Sequence, residues 1–159
     1  FWRIPVMDGE FLVEDSVAIQ KGVAGGNFLI LAQDQAAGLG AAERAIGATE
    51  SLAGIMTPFP GGVVRSGSKV GSRYPSLKAS TADRYCPTLR GRVESDLPEN
   101  VNCVYEIVID GTSREAVARA TRAGIEAAAG DGVVSIGAGN YGGKLGKHHF
   151  HLHDIMTGE

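Results

Sequence analysis

Residues 101–137, VNCVYEIVIDGTSREAVARATRAGIEAAAGDGVVSIG, decide the fold. Val101 to Ile109 is the strongest strand signal in the chain, a run dominated by β-branched and aromatic side chains. Asp110-Gly111 reads as the turn that ends it. Thr112 with Glu115 has the spacing of a capping box, so a helix starts there and runs to about Ala129. Val117, Thr121, Gly124, Ile125 and Ala128 fall on its inward face, and Gly130 is placed for a left-handed C-cap. Val133 to Ile136 closes the unit as a second strand.

Working outward, the same pattern precedes it. Lys21-Gly22-Val23-Ala24-Gly25-Gly26-Asn27 reads as a glycine-rich turn feeding Phe28-Leu29-Ile30-Leu31, a continuous apolar run typical of a fully buried strand. Asp34 is placed to cap a helix from about Ala36 to Ser51, with Leu39, Ala42, Ile46 and Thr49 on one face and Gly54 ending it. Either Ile55-Met56-Thr57 or Val63-Val64 supplies the next strand, and residues 1–20 hold one or two short strands. At the other end His149 to His153 reads as a further strand. The order is strand–helix–strand, a long insertion over residues 66–100, then strand–helix–strand. That predicts an α+β fold: a ferredoxin-like split βαβ sandwich, with an antiparallel sheet carrying two helices on one face. Residues 1–159 read as one such lobe.

Composition narrows the function classes. A chain of 159 residues with 43% hydrophobic content suits one domain with its own core, and no apolar run is long enough to span a membrane. A net charge of −3 gives no global attraction to nucleic acid. Neither nucleic acid nor a membrane is expected as a partner. Cys86 and Cys103 have no metal-ligand spacing and read as reduced, intracellular thiols; no signal peptide is visible. The opening Phe1-Trp2-Arg3-Ile4-Pro5, without an initiating Met, reads as a strand cut from something longer.

Gly137-Ala138-Gly139-Asn140-Tyr141-Gly142 matches the GxGxxG dinucleotide fingerprint in letters but not in context. That motif opens a helix and needs an acidic residue about 20 positions later. Here the segment leads toward the histidines, so it reads as a glycine-rich turn between strands, leaving bare backbone where a ligand can approach.

Glu106 is the sharpest anomaly. It alternates with Val104 and Val108 on one face of a strand expected to be mostly buried. A carboxylate there costs several kcal/mol unless it is paired or carries a proton. Two readings stand: a salt bridge to a loop arginine, or a general acid/base at a cleft. The insertion is strongly basic. Arg65, Lys69, Arg73, Lys78, Arg84, Arg90 and Arg92 are opposed between residues 65 and 92 by Asp83 alone. This is either a solvated charged loop or a clamp for a polycarboxylate or phosphate ligand. A loop of that length is rare in a compact domain unless it is functional. His149, His151 and His153 alternate as zinc ligands on a strand can, but without cysteine or carboxylate partners they suit an edge or interface strand better than a metal site. No nucleophile elbow is present, and the loop serines read as hydrogen-bonding groups.

Lys21–Asn27, Lys78-Ala-Ser-Thr-Ala-Asp-Arg-Tyr-Cys-Pro-Thr-Leu-Arg90, Val104–Gly111 and Gly137–Gly146 together closely resemble formylmethanofuran:tetrahydromethanopterin formyltransferases. The resemblance covers essentially the whole chain and implies the C-terminal lobe of a two-lobe enzyme, with the N-terminal lobe absent. It further implies a cytoplasmic, homo-oligomeric transferase of one-carbon metabolism, possessed by methanogens and methylotrophs. Such an enzyme moves a formyl group from methanofuran to N5 of tetrahydromethanopterin, both as co-substrates, with no bound cofactor or metal. The Glu106 position matches the family's proposed catalytic carboxylate. The residues expected to bind substrate are Lys21, Gly25, Gly26, Asn27, Lys69, Arg73, Arg84, Tyr85, Arg90, Gly139, Asn140 and Lys144. The competing reading is a non-catalytic ferredoxin-like lobe serving assembly or small-molecule binding in a larger complex.

Overall fold

The computed structural model describes residues 1–65, 82–139 and 146–158. A hairpin of β1 (Trp2–Val6) and β2 (Gly9–Val13) forms a sheet of its own. Every residue of both strands is exposed, Trp2 at 65% among them, and so is Met7 in the turn between them. The body follows: β3 (Val23–Ala32), α1 (Gln35–Glu50), β4 (Ile55–Met56), β5 (Val63–Arg65), β6 (Cys103–Gly111), α2 (Arg114–Ala128), β7 (Val133–Gly137) and α3 (Leu152–Thr157). The main sheet runs β4-β6-β3-β7, with β5 also pairing β6, and every pairing is antiparallel. Both expected candidates for the strand after α1 are therefore used, side by side on one edge of β6.

The two central strands are continuous apolar runs because both of their faces are covered. Phe28 and Ile30 from β3 and Tyr105, Ile107 and Ile109 from β6 point toward the helices, where they meet Ala41, Ala42, Ala45, Val117, Ala120 and Ala128. Small residues let the helices lie close. A Cβ on Gly38 would stand 3.1 Å from Cys103 Sγ, and one on Gly124 would stand 2.9 Å from Phe28 Cζ. The buried face of α1 is thus Gly38, Ala41, Ala42, Ala45 and Thr49. The expected stripe shifts accordingly: Leu39 is exposed and Ile46 only packs at the margin. Arg44 ties the helices together, donating from Nε to Ala127 O (3.0 Å) and from Nη2 to Ala128 O (3.1 Å) at the end of α2. Those carbonyls have no partner within the helix.

Several local expectations are corrected. The helix α2 is capped by Ser113, which accepts from Ala116 N at 3.2 Å, and not by Thr112, whose hydroxyl donates to Gly54 O. Glu115 still serves the start of α2: hydrogen bonds from its own backbone N–H and from Ser113 hold its carboxyl below the usual range. The left-handed glycine after α2 is Gly132 (φ 77°), which accompanies the turn into β7; Gly130 does not take that conformation. Gly25-Gly26-Asn27 belong to β3 and not to a turn, because a register shift between Val23 and Gly26 absorbs the glycines into the ladder. Asp110-Gly111 likewise remain within β6. The expected strand over His149–His153 is not formed: His148 to His151 are irregular and α3 begins at Leu152. Phe150 packs against the core, with the Arg114 guanidinium 5.5 Å from its ring, and that contact anchors the segment instead. No helix among the described residues is long and apolar enough to cross a membrane.

Candidate functional site

The face of the sheet opposite the helices is built differently. Leu29 and Leu31 of β3 and Val104 of β6 form a second apolar cluster with Val101, covered by Tyr85, Leu97 and Val134. Polar residues share this face. Asn27 stands opposite Val108, and Leu29 stands opposite Glu106, so Asn27 and Glu106 are diagonal neighbours across the two central strands. Asn27 Nδ2 donates to Glu106 Oε1 at 2.6 Å. Glu106 is only 8% exposed. One turn of the pleat beyond Val108, Asp110 Oδ1 accepts from the backbone N–H of Gly25 at 2.7 Å. Gly25 holds φ at 78°, a conformation that costs a residue with a Cβ, although space around it is open. Gly26 is glycine for another reason: a Cβ there would stand 2.6 Å from Val117 Cγ1.

The register also brings the glycine-rich segment near. Glu106, Leu29 and Gly137 lie in one row across β6, β3 and β7. Because β7 runs antiparallel to β3, Ala138 and Gly139 leave the sheet on the Asn27 side. Glu106, Gly25, Gly26, Asn27 and the approach to Gly139 are therefore gathered by the fold. Asn140, Lys144, Lys69 and Arg73 lie outside the described residues. Lys21 lines a cavity of about 390 Å³ together with Val23, Ala24, Met56 and Asp110. Glu106 lies outside that lining, on the same strand face as Asp110.

Two arginines of the insertion, Arg84 and Arg90, are engaged within the chain. Arg84 makes a paired contact with Asp96 (2.7 and 2.6 Å) and a third with Glu94 (2.9 Å). Those hydrogen bonds, Asp96 first, raise the guanidinium above its ordinary range, and Arg84 in turn holds the Asp96 carboxyl below its own. Arg90 donates to the carbonyls of Pro98 and Val101. The ring of Tyr85 packs on the apolar cluster beneath the segment. The effect of all three is to fasten residues 84–101 over the second face of the sheet. Sequence reasoning missed this, although Glu94 and Asp96 follow Arg84 closely enough to have signalled it. It also missed Asp110, read as a turn residue. Burial raises the Cys103 thiol above its usual range. Among the described residues no group of three or more His, Cys, Asp or Glu is arranged to hold a metal ion.

What the arrangement offers chemically is a nearly buried carboxylate held by an amide, on a face flanked by glycine backbone. A profile of the family described as FTR, proximal lobe, matches residues 9–155. The chain is 58% identical over 157 residues to the formylmethanofuran–tetrahydromethanopterin formyltransferase of Methanopyrus kandleri, covering 98% of this chain and 52% of that protein. It is 53% identical over 161 residues to a protein of Methylorubrum extorquens named as one component of a formyltransferase/hydrolase complex, covering 98% and 52%. Among solved structures, the formylmethanofuran:tetrahydromethanopterin formyltransferase of Methanosarcina barkeri superposes with a TM-score of 0.80 at 47% identity, covering 96% of this chain and 52% of that one. The formyltransferase/hydrolase complex of Methylorubrum extorquens, solved with methylofuran, gives 0.79 at 54%, covering 98% and 52%. The chain thus spans about half the length of the relatives it matches. Matched over residues 9–155 and sharing its fold with both solved relatives, the chain belongs to the FTR proximal-lobe family.

Proposed function

We propose that this chain is the proximal, C-terminal lobe of an enzyme that transfers a formyl group from formylmethanofuran to N5 of tetrahydromethanopterin. The observation that carries the reading is sequence identity of 50–58% with proteins named for that reaction, over nearly the whole chain. The site agrees with the chemistry. The pterin nitrogen attacks the formamide carbon and a C–N bond forms. The tetrahedral intermediate then collapses, breaking the C–N bond to methanofuran. One proton must leave the attacking nitrogen and one must reach the departing amine. Glu106 is the group on this face suited to carry it. Backbone N–H groups and the amide near Gly139 and Asn140 are the donors proposed for the intermediate's oxyanion. The Gly25 N–H is bound to Asp110 and is not one of them. No oxidation state changes, so the reaction itself asks for no redox cofactor.

The anionic portions of the substrates need cations. With Arg84 and Arg90 bound within the chain, that role falls to Lys21, Lys69, Arg73 and Lys144. Gly26 and Tyr85 shape the site, Gly26 by admitting α2 and Tyr85 by covering the sheet. The strand order β4-β6-β3-β7, with both helices on one face, supports the ferredoxin-like description of the fold. Assembly into a homo-oligomer, or with other proteins, is part of the same reading. A relative named as part of a complex supports it, and so does the exposed apolar hairpin β1–β2. A cytoplasmic location follows from the same proposed role. The test is direct. The complete polypeptide carrying this lobe is incubated with formylmethanofuran and tetrahydromethanopterin, and the formylated pterin is measured. Product that depends on both co-substrates is expected. Absence of transfer by folded, complete protein would favour the non-catalytic assembly lobe.

A further inference from the structure

Asn27 is an unusual residue to find in the middle of a central strand. Asparagine is depleted in strands, and here it leads directly into Phe28-Leu29-Ile30-Leu31. We propose that Asn27 is the positioning residue for Glu106: its amide fixes the direction of the carboxyl group in either protonation state. The inference rests on the reading of Glu106 as the proton carrier.

Three observations support the assignment. Both residues sit on central strands, β3 between β6 and β7 and β6 between β3 and the β4/β5 edge, so their backbones are held on both sides. The diagonal register brings a short side chain and a longer one to a common point, and Nδ2 reaches Oε1 at 2.6 Å. Asn27, one partner of the carboxylate, is an amide. An arginine or lysine in that place would favour the ionised carboxylate and oppose proton uptake. An amide donates N–H to the carboxylate and, turned about its last torsion, presents its oxygen to the protonated acid. That suits a group that must both take and give a proton. Other ionisable groups described around this face include Asp110 on β6, held by Gly25 N, Lys21 in the cavity beside Asp110, and Tyr85, Arg84 and Arg90 from the covering segment, with Glu94 and Asp96 paired to Arg84. β4, β5 and β7 contribute Met56, Val64 and Val134, none of them ionisable.

The experiment is a double-mutant cycle in the complete enzyme, read as kcat, KM and the pH profile of kcat/KM. Asn27→Ala is expected to lower kcat about 10- to 100-fold, with KM for each substrate within about threefold. In a Glu106→Gln background the same change should cost less than about twofold, because the group it positions is already gone. Asn27→Asp preserves shape but sets a second carboxylate against the first. It should move the acidic limb of the profile upward by about one pH unit or more. It also guards against an Asn27→Ala protein that fails to fold. Equal losses from Asn27→Ala in both backgrounds would overturn the proposal, as would a change confined to KM or an unmoved acidic limb in Asn27→Asp. Full turnover by Glu106→Gln alone would remove the proton-carrier reading and this inference with it. A dead Glu106→Gln with additive Asn27 effects would remove only the inference.

Discussion

The two faces of the central sheet use the same strands for opposite purposes. Toward α1 and α2, β3 and β6 present Phe28, Ile30, Ile107 and Ile109, each 0% exposed, against helices made of alanine and glycine at the contacts. Toward the 84–101 segment they present Asn27, Glu106 and Asp110 interleaved with Leu29 and Val104. Strand alternation makes this division possible, since successive side chains take opposite faces. The first face concentrates burial and the second concentrates polar groups whose burial costs stability. A sheet that stays rigid on one side can hold such groups in place on the other.

The largest effect that would break the comparison lies on the helix face. Phe28→Ala should destabilise the protein by about 3–5 kcal/mol in chemical denaturation, through lost burial and the cavity left beneath Gly124. Activity per folded molecule should be retained. A loss of turnover at full folding would mean that the two faces are not separable. Gly26→Ala comes next and tests the boundary. Its Cβ would meet Val117 Cγ1 at 2.6 Å and Ile109 O at 3.2 Å, next to Asn27. A stability loss of about 1–3 kcal/mol is expected. A fall in kcat should accompany it, because the shift in β3 is passed to the Asn27–Glu106 contact.

How much of this was legible in the sequence follows from the same division. The helix face announced itself: Phe28 to Leu31 and Val104 to Ile109 read as buried strands, and α1 and α2 have the expected spans to within a residue or two. Glu106 stood out because a carboxylate interrupts an apolar run. What was not legible depended on pairing across distance. The glycines at 25 and 26 read locally as a turn, and only the register with β6 shows a bulged strand. Ser113 and Thr112 are equally good caps by type; the tertiary contact of Thr112 with Gly54 decides between them. The histidine alternation imitated a strand, but no neighbour among the described residues supplies a ladder for it and Phe150 anchors the segment instead. The basic insertion looked like a ligand clamp because charge counts carry no information about Arg84 meeting Asp96.

Smaller effects sharpen the picture. Asp34→Ala removes the N-cap that accepts from Ala37 N at 2.9 Å and should cost about 1 kcal/mol in denaturation, again without touching turnover. The smallest expected effect concerns the segment covering the polar face. Arg84 hydrogen bonds hold Asp96 below its unfolded value, so the pair contributes above about pH 4 and is lost as pH falls through the lower folded value. Both groups are largely solvated, and global stability should scarcely change. Amide exchange in residues 84–96 should rise at acid pH, or in high salt, before the sheet opens. Simultaneous opening of sheet and segment would show that the staple belongs to the core.

With stability placed on one face of the sheet and the proposed chemistry on the other, Glu106→Gln in the complete polypeptide is the deciding substitution. Glutamine keeps an oxygen for the Asn27 amide and the shape of the side chain while abolishing proton transfer. The measurement is kcat per folded molecule, with the folded fraction taken from denaturation of the same sample. A fall in kcat of about 10²–10⁴ is expected, with a modest change in KM and stability within about 1 kcal/mol of the parent. Near-parental kcat per folded molecule, or activity lost only in proportion to folded protein, would contradict it and make Glu106 part of the structural core.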